Sequence, residues 1–236
     1  MQCWNGFLGA SLLASLALAP VAPVAPVAPD QDDGVAVAAR PRDAEELFAR
    51  FAKLEGLEAE FHEEKHLALL VLPLESKGKL YFLPPGRLCR VVQEPKPSTL
   101  LIGPRELRVT GPGGEEVMDL GKNEAVRAFV TSLVRIFSGE REALARSYAI
   151  VYEPSAADDE TWTLTLTPRE KPLTEMLRLL RLDGKGSAVT AIELFEPNGD
   201  RTRTRIVRSD PKRRFTAEEK RKLFGIEETE PAKDAR

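Results

Sequence analysis

The chain contains two histidines, His62 and His66, and both fall in the pentad His62-Glu63-Glu64-Lys65-His66. That pentad satisfies the HExxH pattern of zinc hydrolases, in which a helix brings residues i and i+4 onto one face so that two imidazoles share a metal. The glutamate between them then polarises the metal-bound water. Local propensity allows a helix, because no β-branched residue occurs between Glu58 and Leu70. Two features oppose it. No third histidine exists to complete the ligand set, and Leu57-Glu58-Ala59-Glu60-Phe61-His62 alternates apolar and polar with the period of a half-buried strand. Positions i and i+4 of a strand lie about 13 Å apart, a span that zinc–nitrogen bonds of about 2 Å cannot bridge. The pentad therefore reads as the polar part of a strand, with a secreted zinc hydrolase built on His62, Glu63 and His66 as the competing reading.

Other catalytic templates find less. There is no Gly-x-Ser-x-Gly elbow, no phosphate loop and no dinucleotide fingerprint. Two carboxylates acting as an acid–base pair have no diagnostic spacing, so that chemistry stays open. Cys89 falls in an expected strand, where a lone cysteine is a small buried hydrophobe rather than a nucleophile. Cys3 precedes the first apolar run and cannot carry a lipoprotein-type lipid; once that run is removed, no internal disulfide can form.

The chain has 236 residues, 42% of them hydrophobic, with 30% charged and a net charge of −3. That is enough for one substantial core and gives no concentrated basic face of the kind nucleic acid requires. The dense basic run Lys212-Arg213-Arg214 reads as a solvated strand-to-helix linker. Phe7 to Ala19 is an apolar run with the length of a signal-peptide core, too short for a spanning helix, so residues 1–19 read as an export signal. Residues 20–41 open with Pro20-Val21-Ala22-Pro23 and its repeats, an extended linker that proline every third position keeps from coiling into a helix. The folded domain is expected over residues 42–226, and residues 227–236 form a polar tail.

Within the domain, Asp43 is an N-cap for a helix through Leu47, Phe48, Phe51 and Leu54 that should end at Gly56. The clearest strand is Thr161–Thr167, with Trp162, Leu164 and Leu166 on one face and threonines on the other. Further strands are expected at Leu88–Glu94, Leu100–Gly103, Leu107–Thr110, Tyr148–Glu153, Ala188–Glu196 and Arg201–Arg208. Gly111-Pro112-Gly113-Gly114, Asp183-Gly184-Lys185-Gly186 and Asn198-Gly199-Asp200 have hairpin chemistry, so the sheet should be antiparallel. A helix over Asn123–Phe137 carries Val126, Phe129, Val130, Leu133, Val134 and Phe137 as one apolar stripe, followed by a shorter helical piece through Leu144. Thr216-Ala217-Glu218-Glu219 is a capping box opening a last helix that stops at Gly225.

The order of these elements carries a resemblance. A helix is followed by a long strand ending at Pro73-Leu74-Glu75-Ser76-Lys77-Gly78, then the hairpin Gly78-Lys79-Leu80-Tyr81-Phe82-Leu83-Pro84-Pro85-Gly86-Arg87-Leu88. Later come Trp162-Thr163-Leu164-Thr165-Leu166-Thr167-Pro168 and a hairpin at Glu196-Pro197-Asn198-Gly199-Asp200-Arg201-Thr202. From Ala44 to Arg208 this resembles the outer-membrane lipoprotein carrier (LolA-like) family of periplasmic chaperones. The resemblance implies an α+β fold, an antiparallel unclosed β-barrel (half-barrel) with helices covering the concave face. It implies a periplasmic carrier without catalytic residues, metal or cofactor. Such a carrier shelters the acyl chains of a lipoprotein or other lipid and delivers it toward the outer membrane. Its partners would be an inner-membrane exporter and an outer-membrane acceptor, with the carrier itself a monomer. The cargo-binding face would comprise Leu80, Phe82, Trp162, Leu164, Leu166, Ile192 and Leu194 of the sheet and Phe129, Leu133 and Phe137 of the covering helix. The family's hairpin turn carries an Arg-Pro pair whose arginine hydrogen-bonds the lid. Here Pro84-Pro85 stands in that place, leaving Arg87 or Arg90 as substitutes and making this a divergent member.

Overall fold

A computed structural model describes residues 39–157 and 160–226; the expected signal segment, most of the linker and the polar tail lie outside these. Eleven strands form one antiparallel sheet in the spatial order β6-β5-β4-β3-β2-β1-β11-β10-β9-β8-β7. In chain order they are β1 (Leu57–His66), β2 (Leu74–Leu83), β3 (Arg87–Glu94), β4 (Ser98–Ile102), β5 (Glu106–Gly111), β6 (Gly114–Asp119), β7 (Tyr148–Pro154), β8 (Thr161–Pro168), β9 (Leu179–Lys185), β10 (Ala188–Phe195) and β11 (Arg201–Asp210). The helices are α1 (Ala44–Phe51), α2 (Glu124–Phe137), α3 (Arg141–Ser147), α4 (Leu173–Met176) and α5 (Ala217–Phe224).

The topology has a direct consequence. Strands β1 to β6 form one meander and β7 to β11 another, zipped together where β1 pairs with β11. The sheet curls without closing, so β6 and β7 are its two edges. The chain passes from one edge to the other through the segment that holds α2 and α3, and these helices pack on the inner face. The expected half-barrel with covered concave face is thus the fold, and the connection between its meanders is itself the cover.

Local chemistry sets the helix ends. The Asp43 carboxylate accepts from the amide of Glu46, and the Asn123 side chain accepts from the amide of Val126. The Thr216–Glu219 capping box forms on α5, which ends at Gly225 with φ of 61°. Helix α1 stops at Phe51, short of the expected Gly56, because the amides of Lys53 and Leu54 bond three residues back, to Arg50 and Phe51, and tighten the last turn. Gly56 serves a different purpose: a Cβ there would lie 2.3 Å from the Arg213 carbonyl oxygen. Asp183-Gly184-Lys185 is likewise strand rather than turn, with the reversal one step later at Gly186 and Ser187. Gly184 is needed inside β9 because the Trp162 indole lies against it, 2.0 Å from where a Cβ would be. Strands β6 and β9 escaped the sequence reading, β6 because its Gly-Glu-Glu-Val-Met-Asp is almost entirely exposed at the sheet edge.

Candidate functional site

Register divides every strand between the two faces of the sheet. On the concave side lie Phe82 opposite Leu57, Leu80 opposite Ala59, Leu164 opposite Leu182 and Leu166 opposite Leu180. Leu194 opposite Leu180 and Ile192 opposite Leu182 continue this row. Trp162, Leu164, Leu166 and Phe82 are almost wholly buried there, and Ile192 and Leu194 are partly buried against the same cluster. Leu80 is half-buried and sits by register at the margin of the covered region.

The cover presents Phe129 and Phe137, both buried, and Leu133, partly buried. Phe137 meets Phe82 with ring centroids 5.7 Å apart and Phe51 of α1 at 6.3 Å. All ten residues expected from the resemblance thus lie on the concave face or on the helix packed over it. Leu88, Ile102, Leu107, Tyr148, Leu180 and Leu182 join the same cluster without having been singled out in the sequence. Leu180 and Leu182 went unread because their strand was; the others are ordinary strand hydrophobes until register puts them on this side.

What fastens the cover at the hairpin turn is not an arginine. Ser138, the C-cap of α2, donates its hydroxyl to the Pro85 carbonyl at 2.8 Å, and Gly86 sits beneath Val134. Arg87 points away, donating to the Phe224 carbonyl of α5 at 2.8 Å. Arg90 lies on the concave face by its pairing with Leu80, but its guanidinium stacks 4.7 Å above the Phe61 ring and bonds Glu63 at 2.7 Å. Neither candidate occupies the lid position.

Glu63 is the surprise of the pentad. Strand alternation puts His62, Glu64 and His66 on the convex face, and Glu63 and Lys65 on the concave one. The motif is therefore split across the sheet, with its glutamate on the opposite side from both imidazoles. Glu63 accepts from Arg90, from the Thr204 hydroxyl at 2.8 Å and from Ser76 at 3.4 Å. Lys65, 7% exposed, pairs with Glu196 at 3.6 Å. The concave face thus has an apolar part filled by helices and, toward the ends of β1 and β2, a polar end built around the Glu63–Arg90 pair. Among the described residues no cluster of three or more His, Cys, Asp or Glu side chains is arranged to hold a metal. Split across the sheet, the pentad does not form the shared helix face that an HExxH zinc site needs.

The convex face has its own small core. Helix α5 packs Phe224 there with Phe215 and Cys89, rings of Phe215 and Phe224 meeting edge to face at 5.1 Å. Burial pushes the Cys89 thiol up to about 11, so it stays protonated and unreactive. In the Lys212-Arg213-Arg214 linker Lys212 and Arg214 are exposed, as expected, while ion pairs hold Arg213 to Glu58 at 2.9 Å and to Glu219, and Arg214 to Glu55 at 2.6 Å.

Compared with known proteins, residues 36–213 match the family model described as "Outer membrane lipoprotein carrier protein LolA-like". Among solved structures, a LolA superfamily protein from Nitrosomonas europaea is similar at 12% identity and a TM-score of 0.42, covering 75% of this chain and 97% of that one. A putative outer membrane lipoprotein-sorting protein domain from Vibrio parahaemolyticus matches at 12% identity, TM-score 0.41, with 71% and 89% covered. LprF from Mycobacterium bovis matches at 12% identity, TM-score 0.32, with 73% and 95% covered. No curated protein matches.

Proposed function

We propose, for a chain that belongs to the outer membrane lipoprotein carrier protein LolA-like family, that it binds the acyl chains of a lipoprotein or other lipid on its concave face and carries them through the periplasm toward the outer membrane. The observation that carries this reading is the relation between sheet and cover. Phe82, Trp162, Leu164 and Leu166 form an apolar floor, and the cover over it is the connection between two meanders, fastened at the hairpin turn by the Ser138–Pro85 bond. Closed interiors are packed to crystal-like density, so an acyl chain enters only as α2 moves off the floor. Each methylene transferred from water to that floor gains about 0.8 kcal/mol, which makes a multi-acyl cargo worth sheltering. Half-exposed Leu80 and the Glu63–Arg90 pair at the polar end lie where the chains' polar attachment would rest. No covalent step, metal or cofactor enters this function; the exporter that loads the carrier and the acceptor that unloads it are the partners it requires.

A disulfide lock tests the reading. A Cβ on Gly86 would lie 3.4 Å from Cγ1 of Val134, the place that the sulfur of Val134→Cys can take, so the two side chains are within reach of a bridge. Gly86→Cys with Val134→Cys, in a Cys3→Ser background, should bind a fluorescent fatty acid or triacylated peptide at least about tenfold more weakly when oxidised, and recover on reduction. Equal binding in both redox states means that the helix is core and not cover, and the carrier reading fails.

A further inference from the structure

The loop between β1 and β2 has a composition that the carrier function does not use. Leu67-Ala68-Leu69-Leu70-Val71-Leu72-Pro73 contains no polar side chain, whereas hairpin connections ordinarily draw on Gly, Asn, Asp and Ser. Leu69 is 97% exposed, Val71 100% and Leu72 77%, and Leu70 is half bare. None of the four packs against either core cluster. The root of the loop is fixed: the amide of Leu70 bonds the Leu67 carbonyl, and the amide of Ala68 donates to the Asp200 carboxylate at 2.9 Å, tying it to the β10–β11 turn. A held base with a bare aliphatic tip is a projecting element.

Its surroundings add charge. On the convex face at this same end of the sheet, Arg201, Arg203 and Arg181 gather around one buried carboxylate, Glu193, at 2.7, 3.2 and 4.0 Å. Arg201 pairs in register with His66, the residue that leads into the loop. Arg178 joins them across the Phe195 ring, which it and Arg201 flank at 5.7 and 5.1 Å. Arg201 and Arg203 keep 42% and 43% of their side-chain surface open. The acids close by are engaged, Glu64 with Arg205 and Glu196 with Lys65, while Glu75 on β2 stays exposed. Guanidinium groups in excess suit phosphate oxygens.

We infer that the Leu67–Pro73 loop inserts into the surface of an anionic phospholipid bilayer, with the Arg178–Arg201–Arg203 group seated on the headgroups beside it. A bilayer is favoured over a protein groove by how the side chains are bared. Leu69, Val71 and Leu72 are bare over most or all of their surface, with Leu70 between them half bare; a groove covers one side of such a tip, whereas acyl chains surround it. Contiguous bare aliphatic residues beside cationic ones are the pattern of an interfacial anchor. The tip lies beyond the ends of β1 and β2, outside the covered floor, so docking brings the polar, open end of the concave face toward the membrane that gives up or receives a lipid. This inference stands whether or not the concave face carries cargo.

The test uses the full chain with Val71→Trp and Trp4→Phe, so that the introduced indole is accompanied only by the buried Trp162. With vesicles of phosphatidylethanolamine and phosphatidylglycerol bearing brominated acyl chains, the added emission should shift to the blue and be quenched, with Trp162 unchanged. Leu69→Ser/Val71→Ser/Leu72→Ser should reduce vesicle partitioning of the otherwise native chain at least about tenfold. Arg178→Gln with Arg203→Gln should abolish the preference for phosphatidylglycerol over phosphatidylcholine vesicles. Unquenched emission while the protein sediments with vesicles, or partitioning unaffected by the triple serine variant, overturns the inference. Quenching equal in both lipids overturns the arginine part. Protection of the loop by a protein instead, seen as a blue shift in a purified complex without lipid and none with vesicles, also overturns it.

Discussion

Ser138→Ala isolates the fastening of the cover from its packing. The hydroxyl of Ser138 donates to the Pro85 carbonyl at 2.8 Å across an exposed contact between the end of α2 and the β2–β3 turn. Because water can reach the carbonyl once the serine is gone, no buried acceptor is orphaned, and the loss is that of a net hydrogen bond, about 1 kcal/mol. That loss falls on the closed arrangement only, since the bond is broken when α2 lifts. The ratio of open to closed forms should therefore rise about fivefold. Where a ligand binds only the open form, its apparent affinity should improve by the same factor. The stability of a domain this size should fall little, by about 2–4 °C in Tm. Fluorescence titration with a cis-parinaric-type acyl probe, beside a melt of the same samples, reads both quantities, and Ser138→Thr should restore the parent values. A lower Tm with unchanged or weaker probe binding refutes the reasoning, because it would make the bond an ordinary stabilising contact and α2 a fixed part of the core.

Gly184→Ala should cost about 1–3 kcal/mol, toward the upper end, because the new methyl group meets the Trp162 ring at 2.0 Å and the Ala188 carbonyl oxygen at 2.7 Å. A red-shifted Trp162 emission together with a lowered urea midpoint checks it; an unshifted spectrum at full stability contradicts the register described here. The Cys89 thiol, raised from 9.0 to about 11 by burial, should resist a disulfide reagent at pH 8 in the native Cys3→Ser chain and react at once in urea. Its folded pKa lies above the unfolded one, so the unfolded chain gives up the proton first and stability should decline from pH 9 toward pH 11. The decline attributable to this group, at most about 2–3 kcal/mol, should vanish in Cys89→Ala when urea midpoints of the two chains are compared across that range.

The strands that alternate cleanly are legible in the sequence. Thr161-Trp162-Thr163-Leu164-Thr165-Leu166-Thr167 announces both its conformation and its buried face, since a period of two leaves no other arrangement that buries Trp162 with both leucines. The apolar stripe of α2, the Asp43 and Asn123 caps and the α5 capping box are equally local, each decided within a few residues. Gly184 misled for a physical reason: a glycine needed for close approach of a ring looks, in sequence, the same as one needed for a turn. The edge strand β6 gave no pattern because only Met118 packs inward and its other residues are exposed.

By itself, the sequence determined the α+β class, most element positions, the likeness to a carrier family and the alternation that denies His62 and His66 a shared helix face. Only the tertiary structure decided which face each strand presents to which neighbour. Register placed Glu63 on the concave side with Arg90, Ser76 and Thr204, partners from three other strands. The same long-range pairing gave Ser138 the fastening role expected of an arginine, and left the apolar Leu67–Pro73 loop bare beside Arg201. Such pairings join residues far apart in the chain. Periodicity reports the local backbone and the side a residue faces, whereas the neighbours it meets there are set by how the whole sheet closes around its core.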